Sequence, residues 1–301
     1  LLLQSFSDPL AMSLRAKAEL LLVGICMIWG VSFVVVKGAL ADASPLVFIA
    51  IRFTLAGIVT AVVLRLRPFA LGRQALGAGA TLGLCLLGGY ILQVNGLLYT
   101  TPSKSAFITA FSVVLVPLIL ALGGVALRPA SIAAAVAGVA GLYILVAPSR
   151  LTDVNRGDLL TLAASICFGS YIVQVGRYAE RFHFRDLVPV QILTVGLGAG
   201  LLVPLERHPR LHWTPGFDAA MAITALLATA LAFSVQNWAQ RYTPPAHTAL
   251  ILSLEPVFTA AASRWITGER MGERVVAGAA LMLAGVLVSE LWGGRPAAIE
   301  S

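Results

Sequence analysis

The sequence predicts an all-α polytopic membrane protein whose ten transmembrane helices form two inverted five-helix repeats. Three observations carry that prediction. The 301 residues are 58 % hydrophobic and only 12 % charged, with a mean hydropathy of +0.89, whereas soluble domains carry about 25 % charged residues. Apolar runs of roughly 18 to 25 residues recur along the chain, each able to cross about 30 Å of hydrocarbon at 1.5 Å per residue. Finally, QVNGLLYTTPSKSA at 93–106 returns as QNWAQRYTPPAHTA at 236–249, matching at Gln, Tyr, Thr, Pro and Ala with a constant offset of 143.

The ten predicted spans are 18–39, 45–66, 74–98, 103–124 and 129–147, then 158–179, 186–205, 217–241, 245–267 and 273–293. Connections are short and punctuated by Pro, Gly or Arg, as in Leu66-Arg67-Pro68, Pro148-Ser149-Arg150 and Thr214-Pro215-Gly216, and leave no room for a water-soluble domain. The chain thus divides into an N-terminal tail (1–17), a first repeat (18–147), a linker (148–157), a second repeat (158–293) and a C-terminal tail (294–301). Residues 1–17 are too broken by Asp8-Pro9, Arg15 and Lys17 for a cleavable signal, and Met12-Ser13 reads as the natural start, with residues 1–11 upstream or vector-derived.

Cys26, Cys85 and Cys167 lie inside separate spans, which excludes a disulfide framework and a CxxC metal site, so neither metal nor cofactor is expected. The net charge of +7 comes from Arg scattered over short loops rather than from a basic run. It points to lipid headgroups and not to nucleic acid.

The duplication is visible beyond the paired hairpins. Glu19-Leu20-Leu21 aligns with Asp158-Leu159-Leu160 at offset 139, and the same offset sets Trp29-Gly30 on Phe168-Gly169 and Pro117 on Pro256. The change between 139 and 143 reads as about four extra residues in the first half between Tyr99 and Pro117. Five crossings per unit force the second copy to enter from the opposite side. Lys and Arg on alternate connections number eleven on the N-terminal side and nine on the other; the early connections are more one-sided. That bias puts both termini in the cytoplasm. Small residues one turn apart, as in Gly79-x3-Gly83, Ala137-x3-Gly141, Gly196-x3-Gly200 and Ala280-x3-Ala284, are read as internal packing faces rather than dimer contacts, and the chain is taken as a monomer.

Polar residues inside the spans mark candidate function. Thr101-Pro102 and Thr243-Pro244 each read as an N-cap followed by Pro at the first helical position, starting the fourth and ninth spans. Just before them, Thr229, Phe233, Gln236 and Gln240 share one helical face, and Gln93 with Gly89 and Gly96 repeats the stripe in the third span. Lipid satisfies no polar group, so such stripes face a wet cavity or a partner helix. Trp29, Ser32, Phe168, Tyr171 and Gln174 come from the first and sixth spans, with Ser105, Thr109 and Ser112 from the fourth. The predicted substrate-binding set is Trp29, Ser32, Tyr90, Gln93, Tyr99, Thr109, Phe168, Tyr171, Gln236 and Trp238: aromatic walls with amides and hydroxyls, suited to a small zwitterion with an apolar side chain. The alternative is a core in which these groups satisfy one another.

A charge at mid-helix costs roughly 2.5–3.5 kcal/mol, so Arg52 and Glu255 should avoid lipid. Either they pair, or Arg52 binds a substrate carboxylate while Glu255 carries a proton. Lys104 and His247 occupy equivalent places nearer span ends, where an interfacial role competes with one in coupling. Gly30, Gly169, Pro117 and Pro256 are candidate bend points.

Trp29-Gly30-x-Ser32-Phe33, Arg52-Phe53, Leu254-Glu255-Pro256-Val257 and Gly268-Glu269-Arg270, in this order over residues 18–293, resemble the EamA family of the drug/metabolite transporter superfamily. The resemblance implies a secondary transporter of the bacterial inner membrane exporting amino acids, aromatic or neutral, or related metabolites. The first half departs from the second in lacking Glu before Pro117 and the Gly-Glu-Arg triplet. A nucleotide-sugar antiporter of the same superfamily would need several deep cations for phosphate, and the ninth span offers only His247 and Arg264. A membrane enzyme is the other alternative; His208 and His212 have i, i+4 spacing, but Pro209 stands between them and no GxSxG, HExxH or P-loop Lys is present.

Overall fold

A computed structural model describes residues 13–67, 71–126, 132–133, 136–137, 140–141, 143–144, 155–270 and 272–292. The fifth predicted span and most of the linker therefore lie largely outside the described residues, as do both tails. The described residues form helices and no β-strand, and eight segments are long and apolar enough to cross a membrane.

In chain order the helices are α1 (Leu14–Ala39), α2 (Pro45–Val63), α3 (Arg73–Leu97), α4 (Pro102–Thr109), α5 (Ser112–Leu122), α6 (Arg156–Ala179) and α7 (Phe184–Leu202). They continue as α8 (Pro215–Met221), α9 (Ala232–Ala239), α10 (Pro245–Leu252), α11 (Glu255–Ile266) and α12 (Glu273–Trp292). A π-helical stretch, Ala222–Leu231, joins α8 to α9 in one continuous span.

Starts are set by side-chain caps that satisfy otherwise unpaired backbone N–H groups. Ser13 accepts from the Ala16 amide at 3.1 Å, Thr101 from Lys104 at 3.3 Å and Thr214 from Phe217 at 3.0 Å. Asn155 and Asp158 form a reciprocal capping box at the head of α6. The ninth predicted span begins differently from the sequence reading: the N-cap is Pro244, the helix starts at Pro245, and Thr243 stands one residue outside it.

Two spans are interrupted. Ala110-Phe111 separates α4 from α5, and Ser253-Leu254 separates α10 from α11. The paired starts, Pro102 with Pro245 and Ser112 with Glu255, keep the offset of 143 through each break. α2 and α7, by contrast, start at Pro45 and Phe184, an offset of 139. These helix starts show no four-residue step between Tyr99 and Pro117. Pro117 sits inside α5, whereas Pro256 is in the first turn of α11, so the two prolines hold different places in their helices.

Contacts between segment ends define two faces. At one, the turn after α1 is clasped by the α7–α8 connection: Ser44 Oγ donates to Glu206 at 2.7 Å, His212 N to the Asp42 carbonyl at 2.7 Å, and Thr214 Oγ1 to Asp42 at 3.0 Å. Lys37 at the end of α1 donates to the Leu97, Leu98 and Thr100 carbonyls, placing the α3–α4 turn at this face. Ser103 Oγ donates to Glu269 at 3.0 Å, adding the α11–α12 turn. Gly268 there has φ +71°, a backbone that L side chains rarely adopt. Lys104 pairs with Asp158, so α6 starts here too. The start of α10 instead meets the first turns of α1 through His247 and Glu19, at the other face.

Close approach relies on small residues, since lipid supplies no drive for helices to associate. A Cβ at Gly79 would meet Val190 Cβ at 2.7 Å, and one at Gly196 would meet the Thr54 backbone N at 2.6 Å. Gly79 and Gly196 thus serve contacts within the chain. Gly200, one turn beyond Gly196, has nothing within 4 Å.

Candidate functional site

A cavity at mid-depth is lined from α1, α2, α3, the two interrupted spans, α6 and the α8–α9 span. Eight of the ten residues expected to bind substrate line it: Trp29, Ser32, Tyr90, Gln93, Thr109, Phe168, Tyr171 and Gln236. Arg52 and Glu255 line it as well. The other two do not. Tyr99 is 44 % exposed and lies under the Arg156 guanidinium, 4.0 Å from its ring centroid, while Trp238 packs on Tyr242 and lines a second, separate pocket. Aromatic residues at span ends serve the interface, and the polar pattern that marked these two continued past the depth of the cavity.

The aromatic wall is an edge-to-face cluster. Tyr90 meets Phe53, Phe168 and Phe233 with ring centroids 4.6, 5.4 and 6.3 Å apart. Phe233 contacts Tyr171 at 5.8 Å and Trp29 at 5.5 Å. Such pairs contribute about 0.5–1.5 kcal/mol each beyond area burial. Phe233 was visible on the polar stripe but only as spacing; its central place required the fold.

The π-helical stretch re-aims backbone groups at this cluster. Thr229 Oγ1 donates to the Thr224 carbonyl at 2.8 Å, and the Ala228 carbonyl accepts from Trp29 Nε1 at 2.8 Å. Thr229 in turn accepts from Arg52 Nε at 2.8 Å. Arg52 is 2 % exposed, and its guanidinium carbon lies 5.1 and 5.2 Å from the Phe53 and Tyr90 ring centroids. Among the described residues no carboxylate stands within ion-pair distance of it, so Arg52 and Glu255 share a cavity without bonding directly.

Glu255 and Ser112 are the first residues of α11 and α5, the second pieces of the two interrupted spans, and both line the cavity. A carboxylate in a first helical turn is favoured by the helix dipole.

The amides are ordered. Gln93 Nε2 donates to Thr109 Oγ1 at 3.1 Å. Gln240 Nε2 donates to the Ile172 carbonyl at 2.9 Å, so its Oε1 must face Gln236, whose Nε2 donates to it at 3.2 Å. A backbone carbonyl therefore sets the polarity of the chain and leaves Gln236 Oε1, 1 % exposed at the residue level and without a partner, as an acceptor at the cavity wall. The polar end that satisfies it must donate a hydrogen bond.

Lys104 and His247 lie apart from the cavity. Lys104 Nζ is 2.6 Å from Asp158 Oδ2, and His247 Nε2 is 3.0 Å from Glu19 Oε1. Their acidic partners had served in the sequence only as alignment marks. Of the bend-point residues, Gly30 is in tight contact with α11 and Gly169 is not.

An all-helical membrane bundle with a mid-depth cavity and two broken helices around it is compatible with a membrane transporter. The EamA-like transporter family model matches residues 16–147 and 155–291, and the chain belongs to that family. It is similar to two uncharacterized transporters of Archaeoglobus fulgidus. One is 32 % identical over 92 % of this chain and 87 % of the relative, the other 24 % identical over 92 % and 98 %. A solved crystal structure shares the fold, with a TM-score of 0.69 at 19 % identity over 91 % of this chain and 97 % of the other.

Proposed function

We propose that this protein is a secondary transporter that exports amino acids or closely related zwitterions by alternating access, built from two inverted five-helix repeats. The observation that carries the reading is the cavity itself. It holds a buried Arg52 with no acidic partner among the described residues, an acceptor Gln236 Oε1 and the Glu255 carboxylate, all against one aromatic wall. A carboxylate fits the guanidinium fork, an ammonium suits the acceptors, and an apolar side chain suits the rings. Phosphate cargo would call for more cations than Arg52, the cation among the described lining residues.

Inversion is supported by the two faces. α1 starts on the face where α10 starts, and α6 starts on the opposite one beside α4. With the predicted span at 129–147 as a further crossing, this placement fits five crossings per half and the divisions 18–147 and 158–293. The matched family segments fall on the same two halves. The principal helix contacts come in related pairs as well: α1 with α11 answers α6 with α4 and α5, and α3 with α7 answers α2 with the π-helical stretch.

The cavity measures about 80 Å³, room for about five to eight waters at roughly 10–15 Å³ each. In alternating access the halves part to load and release cargo, with Gly30, Gly169, Pro117 and Pro256 as bend points. The protein resides in the bacterial inner membrane as a monomer with both termini in the cytoplasm; a reporter fused to the C-terminus is expected to be inactive in the periplasm and active inside.

The test is flux of a radiolabelled amino-acid panel in proteoliposomes, with and without a pH gradient. Gln236→Leu removes the acceptor and is expected to lower flux by about tenfold, the cost of one lost hydrogen bond in a closed site. Trp29→Ala, which opens the aromatic wall, is expected to abolish it while the protein still purifies folded. Wild-type flux in both variants would remove the site assignment.

A further inference from the structure

The two ion pairs at the ends of the bundle are counterparts. Lys104 is the third residue of α4 and His247 the third of α10, at the offset of 143 shared by these helices. Their acids, Asp158 and Glu19, are separated by the 139 that relates α6 to α1. Each pair joins opposite halves: Lys104 of the first half meets Asp158 of the second at 2.6 Å, and His247 of the second meets Glu19 of the first at 3.0 Å. One pair stands at each membrane face.

Position gives these contacts a role beyond packing. α4 and α10 are the short pieces of the interrupted spans. Their inner ends, Thr109 and Leu252, line the cavity, and their outer ends carry Lys104 and His247. A bond at the outer end pins each short helix against the other half, closing the route from the cavity to that face. The Lys104 pair is the more firmly built. Asp158 is 2 % exposed and also accepts from Thr100 Oγ1 at 2.9 Å and the Asn155 amide at 3.2 Å. Glu19 is about one-third exposed and is shared with Arg15 Nε at 2.7 Å.

We infer that Lys104–Asp158 and His247–Glu19 are opposed latches between the halves, one per face, and that opening the cavity to either side breaks the pair on that side and leaves the other made. The inference rests on the alternating-access reading, and its test needs no substrate. In a background with Cys26, Cys85 and Cys167 replaced by Ala, Ser112→Cys places a thiol in the cavity wall. Labelling by a membrane-impermeant maleimide is then compared in right-side-out and inside-out vesicles.

Lys104→Met is expected to raise labelling from the Lys104 face relative to the other by about tenfold, and His247→Ala to shift the ratio the opposite way by about threefold, the weaker shift following from the more exposed pair. The exchanges Lys104→Asp with Asp158→Lys, and His247→Glu with Glu19→His, are expected to return the ratio toward that of the parent; they also control for variants that fail to fold. Shifts in the same direction, or an unchanged ratio in folded protein, would overturn the latches. Opposite shifts in a protein that moves no amino acid would keep the latches and remove the cargo assignment instead.

Discussion

Arg52→Met is expected to reduce saturable amino-acid flux on the order of a hundredfold while the protein folds and melts at or above the wild-type temperature. The two halves of that result come from the same fact. Arg52 is 2 % exposed, is held by Thr229 Oγ1 and two aromatic faces, and has no acidic partner among the described residues. Keeping a charge there costs folding energy that no ion pair returns, so an apolar side chain of similar length relieves the fold. Binding has the opposite dependence. A carboxylate placed beside a guanidinium in this cavity gains charge-assisted bonds, and truncating one partner of such a pair costs about 2–5 kcal/mol. Arg52→Lys keeps the charge and loses the two-pronged geometry, so it should fall between the two. Decarboxylated amines supply the control, since the substitution removes a like charge from their site and should leave their weak binding unchanged or stronger. Flux in proteoliposomes and thermal melting separate the effects: wild-type flux in Arg52→Met would show that the guanidinium is structural.

Much of this site was legible because membrane burial makes polarity expensive. Arg52, Glu255, Gln93 and Gln236 stood out from their greasy surroundings for the reason that places them at the cavity, namely that lipid cannot satisfy them. Hydropathy was equally direct about the eight described spans, whose length and composition alone define them. It was blind to what happens inside a span. The breaks at Ala110-Phe111 and Ser253-Leu254 contain no Gly or Pro, and Pro117 lies within α5 and not at the break. The π-helical stretch AITALLATAL is a run of small and aliphatic residues that any helix type accepts; only Trp29 and Arg52 bonding to Ala228 and Thr229 reveal its use. Nor could a linear reading join Lys104 to Asp158 or His247 to Glu19, because those partners belong to opposite halves of the chain.

Gly30 and Gly169 are counterparts in the sequence, and alanine is expected to separate them sharply. At Gly30 a Cβ would stand 2.7 Å from Phe258 Cβ and 2.8 Å from the Thr259 backbone N, contacts that no rotamer change relieves because both atoms are fixed to the α11 backbone. α1 and α11 would have to move apart, and the packing lost along their shared face is expected to cost about 1–3 kcal/mol, the range for overpacking a close-fitted core. At Gly169 the nearest atom, Leu115 Cβ, would be 3.4 Å away, an ordinary contact. Alanine there also gains up to about 1 kcal/mol of helix propensity over glycine, so Gly169→Ala should match or slightly exceed wild-type melting. That asymmetry makes the second substitution the cleaner probe of bending, since a fall in flux without a fall in stability isolates the role of Gly169 as a bend point. Melting followed by size-exclusion chromatography of heated samples reads both variants. Gly30→Ala melting at the wild-type temperature would mean that α1 and α11 are not in the close contact from which the cavity wall is built.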